Sequence, residues 1–337
     1  MFKKIILLIG CWMVVVDVYS APGVKTLEGD TTLFGIVFPA GTEVTYHNGG
    51  DMGDYVKLAV SQKIRGVIWP AGTTLWFSEQ GFLRKAFIVK DTDFGGITFA
   101  KGNVKFFDSG KVAQGNLAHD VEINGIKFTK HADYRGGRRA AYDISFFSSG
   151  KVSEGTFAEN TEINGMVFKK KAIVYMGIGY NGADNYGTLF YENGGVAIGV
   201  LAHPQEINGI KFQDQIKFYE NGRVEQGILA EQAIRINDVL LHGQITLYES
   251  GKVKDGLLVE NTKVGDITLM ANTSGHREDY RGSNDITEFY ESGKIKSGIL
   301  GEPVTISGEK VDAGWIAEFD ENGNISKVTP FNPGVVY

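Results

Sequence analysis

Cysteine is nearly absent: the single one, Cys11, sits near the N-terminus, so neither a disulfide framework nor a thiolate zinc finger is available. There are only seven prolines, and no run of basic residues gives the electrostatic footprint of a nucleic-acid binder. Histidine is also scarce: the six fall at positions 47, 119, 131, 203, 242 and 276, with no His-x-x-x-His pair of the kind that holds zinc on a helix. No stretch beyond residue 20 is long and apolar enough for a transmembrane helix. What the chain has in excess is glycine, 45 of 337 residues, beside an ordinary apolar share of 42%. That combination describes a folded, turn-rich chain, since a disordered one would be short of apolar residues.

Met1-Phe2-Lys3-Lys4, the apolar run Ile5 to Val16, and Val18-Tyr19-Ser20-Ala21 have the order of an export signal: basic start, apolar stretch of about a dozen residues, small residues at the cleavage point. Residues 1–20 are expected to be removed, which places the protein in the periplasm, at the outer membrane or outside the cell. Leu8-Ile9-Gly10-Cys11 resembles a lipobox and offers lipidation as an alternative, but the apolar run continues beyond the cysteine through Val16.

The rest of the chain repeats itself. Val104-Lys105-Phe106-Phe107-Asp108-Ser109-Gly110-Lys111-Val112 returns as Ile216-Lys217-Phe218-Tyr219-Glu220-Asn221-Gly222-Arg223-Val224 and as Ile245-Thr246-Leu247-Tyr248-Glu249-Ser250-Gly251-Lys252-Val253. The anchor glycine recurs at 81, 110, 150, 194, 222, 251, 293 and 323, so the unit is 28 to 30 residues long and three copies are enlarged. Apolar and polar residues alternate at period two, the pattern of half-buried strands. The Asn-Gly and Ser-Gly steps are hairpin signals, because primed two-residue turns need positive φ. A second Asn-Gly recurs at Asn124-Gly125, Asn164-Gly165 and Asn208-Gly209. These features predict an all-β fold: an elongated antiparallel β-meander or solenoid of tandem hairpin repeats, about three strands per unit. It runs as a single domain over residues 24–331 in eight or nine units, with a tail at 332–337. Four residues before each anchor glycine stands Phe or Leu, and two after stands Leu, Val or Ile, which predicts a buried ladder from unit to unit.

The phrases Phe218-Tyr219-Glu220-Asn221-Gly222-Arg223-Val224 and Phe289-Tyr290-Glu291-Ser292-Gly293-Lys294-Ile295 resemble the MORN-variant repeats of bacteria. That family is built from β-hairpins around an aromatic-aromatic-x-Asn-Gly-Lys-apolar turn, and some of its members are labelled antitoxin components. The resemblance covers the hairpin of each unit and implies a repeat scaffold used for binding or assembly. It carries over no catalytic residue. The chain departs from the family pattern in its longer unit, in the recurrent Ala-Glu-x-x-x-Ile-x-Gly return and in its export signal.

Two sets of residues are candidates for ligand binding. The first is the row three before the anchor, Phe107, Phe147, Tyr191, Tyr219, Tyr248 and Tyr290, with a cation following the glycine at Lys111, Lys151, Arg223, Lys252 and Lys294. Rings interleaved with cations suit a glycan or protein surface, although the same row also serves as a packing ladder. The second is the inserts: His131, Asp133, Tyr134 and Arg135; Tyr186; and His276, Asp279, Tyr280 and Arg281. Loops on a repeat scaffold often carry function. No catalytic, cofactor or metal site is expected, since there is no nucleophile elbow or phosphate loop, and Asp320-Glu321-Asn322-Gly323-Asn324 reads as a hairpin turn in place of a calcium loop. The function expected is therefore a non-catalytic exported protein that binds a protein or glycan of the cell envelope. The alternatives are a self-assembling structural component and a hydrolase with its acids in the inserts.

Overall fold

The computed structural model describes residues 4–9, 12–17, 23–46, 55–130, 142–175, 185–236, 239–271, 286–306 and 308–330. The described residues form strands and turns and no helix, and no helix long and apolar enough to cross a membrane is present among them. The chain divides into two compact units, the first holding the described residues up to Ala158 and the second those from Glu159 onward. Near the N-terminus, Lys4–Ile9 pairs antiparallel with Trp12–Asp17 as a hairpin of its own.

Each unit is one open antiparallel meander, as expected from the alternating pattern. In the first, nine strands follow in chain order: Gly23–Thr26, Glu43–Tyr46, Tyr55–Lys57, Thr74–Phe77, Leu83–Ile88, Ile97–Phe106, Val112–Leu117, Ile144–Phe146 and Val152–Phe157. In the second, ten follow: Thr188–Phe190, Val196–Val200, Ile210–Phe218, Val224–Leu229, Val239–Leu247, Val253–Leu258, Thr287–Phe289, Ile295–Ile299, Ile316–Phe319 and Ile325–Thr329.

A compact repeat holds the three strands expected, with the middle one long, as in Gln205–Ile207, Ile210–Phe218 and Val224–Leu229. A small hairpin such as Gln205–Ile207 with the start of Ile210–Phe218 precedes each long one, and its second strand continues into the outgoing strand of the main sheet. In compact repeats the two halves meet at one residue of left-handed backbone, Gly102 (φ 142°), Asp214 (φ 58°) or Gly243 (φ 68°), where the ladder register shifts. In enlarged repeats the insert occupies that joint.

The two kinds of hairpin close differently. Asn124-Gly125, Asn164-Gly165 and Asn208-Gly209 of the small hairpins have positive φ at both residues, the primed turn that Asn-Gly favours. The long hairpins do not: only the anchor glycine is left-handed, as at Gly222 (φ 83°). There the Gly222 amide donates to the Tyr219 carbonyl at 2.9 Å and the Tyr219 amide to the Arg223 carbonyl at 2.8 Å, a three-residue loop with a glycine bulge. The same bonds recur at Asp320 and Gly323, so that segment is the last copy of the turn.

The core lies between the main sheet and the small hairpins. The residues four before the anchor are all buried, from Phe77 and Phe218 at 1% exposure to Phe146 at 9%. Of those two after it, Leu83, Val196, Val224, Val253 and Ile295 are buried, while Val112, Val152 and Ile325 are half-buried. Rings from one repeat's small hairpin pack on the next repeat's main strand: Phe38 on Phe77 (6.3 Å), Trp69 on Phe106 (6.0 Å) and Phe168 on Phe218 (6.3 Å). Each repeat thus completes its neighbour's core, which is how units too small to fold alone become stable in tandem.

Candidate functional site

The inserts leave the scaffold from one place in the repeat. The first lies between Ile126–Thr129 and Ile144–Phe146, the second between Met166–Phe168 and Thr188–Phe190, the third between Ile267–Leu269 and Thr287–Phe289. The histidine-bearing stretch at 47–54 differs, since it joins Glu43–Tyr46 to Tyr55–Lys57 at the tip of a long hairpin. His131, Asp133, Tyr134, Arg135, His276, Asp279, Tyr280 and Arg281 lie outside the described residues. Tyr186 belongs to a two-residue strand paired with Val174–Tyr175, and its side chain is likewise outside the description.

The tyrosine row is built into the stacking of repeats. The hydroxyl of Tyr191 donates to the Phe218 carbonyl (2.7 Å), Tyr219 to Leu247 (2.8 Å), Tyr248 to Phe289 (2.8 Å) and Tyr290 to Phe319 (2.6 Å). Each bond reaches the core residue of the following repeat. Partial burial raises the Tyr191 and Tyr219 phenols above their ordinary range, with the carboxylate of Glu225 adding to both, so they keep the proton they donate. The cations behind the anchor act alike: Lys111 donates to the Ser149 carbonyl (2.9 Å), Arg223 to Glu249 (2.6 Å) and Lys294 to Glu321 (2.8 Å). These contacts tie one turn to the next. Between two of the tyrosines, Tyr191 and Tyr219, lies a shallow depression rimmed by Ile163 and Met166.

A different row combines rings and cations, and it lies on the outer face of the first unit's main sheet. Side chains five before and four after the anchor alternate with the buried ones and so point away from the core. Following the register across the strands gives Tyr55, Trp76, Lys85, Lys105, Gln114, Ser145 and Glu154. The Tyr55 and Trp76 rings are 5.5 Å apart, and the Lys85 ammonium lies 4.7 Å from the Trp76 ring centre. The Lys105 ammonium lies 5.2 Å from the ring of Tyr142, a phenol held above its ordinary range by burial. Lys85 and Lys105 stand directly opposite each other, an arrangement that costs stability for like charges. Their ammonium groups rest instead on separate rings, which hold a cation by the ring quadrupole.

The second unit fills the corresponding row differently. Its members include Lys217, Gln226, Thr246, Asp255, Glu288, Ser297, Glu318 and Lys327. Here cations meet carboxylates, Lys217 with Glu225 (2.6 Å), Lys296 with Glu288 (2.9 Å) and Lys327 with Glu318 (2.7 Å). Among the described residues no carboxylate lies within ion-pair distance of Lys85 or Lys105. The charge along the chain follows the same division: 16 Lys and Arg against 14 Asp and Glu over residues 23–158, then 16 against 25 over residues 159–337.

The outer row escapes a reading by motif because its members come from strands 9 to 37 residues apart and share no phrase. The signal that finds it is positional: Trp76 and Lys105 both stand five before an anchor glycine, and Lys85 four after one. No protein-family model matches the chain, and no curated protein matches it.

Proposed function

We infer that this is a non-catalytic exported protein that binds a component of the cell envelope or of the extracellular space, with the outer face of its first unit as the binding surface. The carrying observation is the row Tyr55, Trp76, Lys85, Lys105, with Tyr142 beside it: half-buried rings interleaved with cations that have no carboxylate at ion-pair distance among the described residues. Rings of this kind supply contact area at low entropic cost, and unpaired cations supply attraction for an anionic partner. The export signal supports the location, and the MORN-variant resemblance of the hairpins supports a scaffold role. The test is capture from the host's envelope fraction with residues 21–337 as bait, beside the Trp76→Ala chain. Specific capture lost in the variant is the expected result. Equal capture by both chains would remove this face from the account.

A structural reading has one observation in its favour. Among the described residues Gly23–Thr26 and Ile325–Thr329 are each paired on one side only, and such edges are templates for pairing with another chain. Recovery of the bait alone, as oligomers, would move the account to that reading.

A further inference from the structure

We propose that Lys85 and Lys105 form an anion clamp for an acidic polysaccharide, whose carboxylates draw the two ammonium groups off Trp76 and Tyr142 while adjacent sugar rings take their place against those rings. The proposal rests on the outer face being the binding surface and adds the ligand class. These two like charges stand opposite on neighbouring strands and, among the described residues, have only rings for partners, so an anionic ligand supplies the carboxylates they lack. In the second unit the cations at the same places in the row, Lys217 and Lys327, are paired with Glu225 (2.6 Å) and Glu318 (2.7 Å).

Geometry separates a glycan from an acidic peptide. The row runs across the strands, so successive side chains stand one strand spacing apart, about 4.8 Å. An extended peptide presents same-face side chains about 6.7 Å apart and falls out of step within two contacts. A pyranose ring in an extended chain advances by nearly one strand spacing, so a uronic acid polymer laid along the row meets Trp76, Lys85 and Lys105 in turn. The clamp lies between flat apolar surfaces, since Trp76 and Tyr142 are both half-buried, and those suit the C–H faces of sugars.

The probe is an oligomer of galacturonate, with its methyl ester as the uncharged control and polyglutamate as the control for charge alone. Binding to the full mature chain is followed by calorimetry and by the fluorescence of Trp76. The expected result is that the uronate oligomer binds and perturbs a tryptophan signal that Trp76→Phe removes. Lys85→Ala and Lys105→Ala should each weaken binding about tenfold or more, as loss of one charge-assisted contact implies, and the ester and polyglutamate should bind far more weakly. Circular dichroism establishes that these surface variants are folded. Equal binding of polyglutamate, or indifference to both lysine variants, would overturn the proposal. If the lysine variants lose envelope capture while galacturonate fails to bind, the ligand class is wrong and the binding surface stands. If they keep envelope capture, the surface itself is wrong.

Discussion

At the scale of single residues, the tyrosines three before the anchor couple neighbouring repeats through one hydrogen bond each. Tyr219→Phe removes the donor to the Leu247 carbonyl and keeps the ring. Urea denaturation should show a loss of about 1 kcal/mol, the usual worth of one such bond. Asp255 gives a pH dependence of definite sign. Burial is the main cause holding its carboxyl above the ordinary range; Glu288 adds to it, and Thr246 and Lys254 oppose it. The native state therefore binds this proton more tightly than the unfolded chain. Its contribution to stability is fully present below the unfolded value and is lost as pH rises through the raised native one. Asp255→Asn, neutral throughout, should be more stable than the parent at pH 7 and should lose that advantage at pH 3, as read by parallel urea titrations.

At the scale of elements, a second glycine in each repeat is as informative as the anchor. Gly115, Gly155, Gly199, Gly227, Gly256 and Gly298 stand on the return strands with an apolar side chain of the small hairpin against them. A Cβ at Gly227 would sit 2.6 Å from the Phe212 ring. Gly227→Ala should cost about 1–3 kcal/mol, the range for overfilling a packed core. Phe212→Leu in the same chain should recover part of the loss, since Leu241 occupies the corresponding place opposite Gly256 at 3.2 Å. The inserts belong at this scale too. Replacing residues 131–141 with one glycine leaves five residues between Phe128 and Ile144, where the compact repeat has four between Phe99 and Val104. The shortened chain should fold with a midpoint within a few degrees of the parent, because closing such a loop changes stability by under about 1 kcal/mol. Failure to fold would mean the insert is part of the scaffold.

At the scale of the whole molecule, much of the scaffold is legible in the sequence because period-two alternation and recurring glycines are local signals. The buried ladder at Phe106, Phe218 and their counterparts follows directly from them. The type of the long-hairpin turn does not: Asn-Gly and Ser-Gly fit both a primed turn and a glycine bulge, and the choice is set by how the flanking strands twist. The outer row was hidden for a related reason. Register across strands decides which side chains stand together, and neither Trp76 nor Lys85 carries a sign of it alone. The inserts and the tyrosine row drew attention because they repeat, yet repetition marks stacking contacts as readily as binding ones. The measurement that separates these possibilities is envelope capture with three baits side by side: residues 21–337 unaltered, the same chain with Lys85→Glu and Lys105→Glu, and the same chain with Tyr134→Ala and Tyr280→Ala. The account predicts that the lysine reversal abolishes specific capture while the insert variant retains it. Retention by the lysine reversal and loss by the insert variant would contradict it.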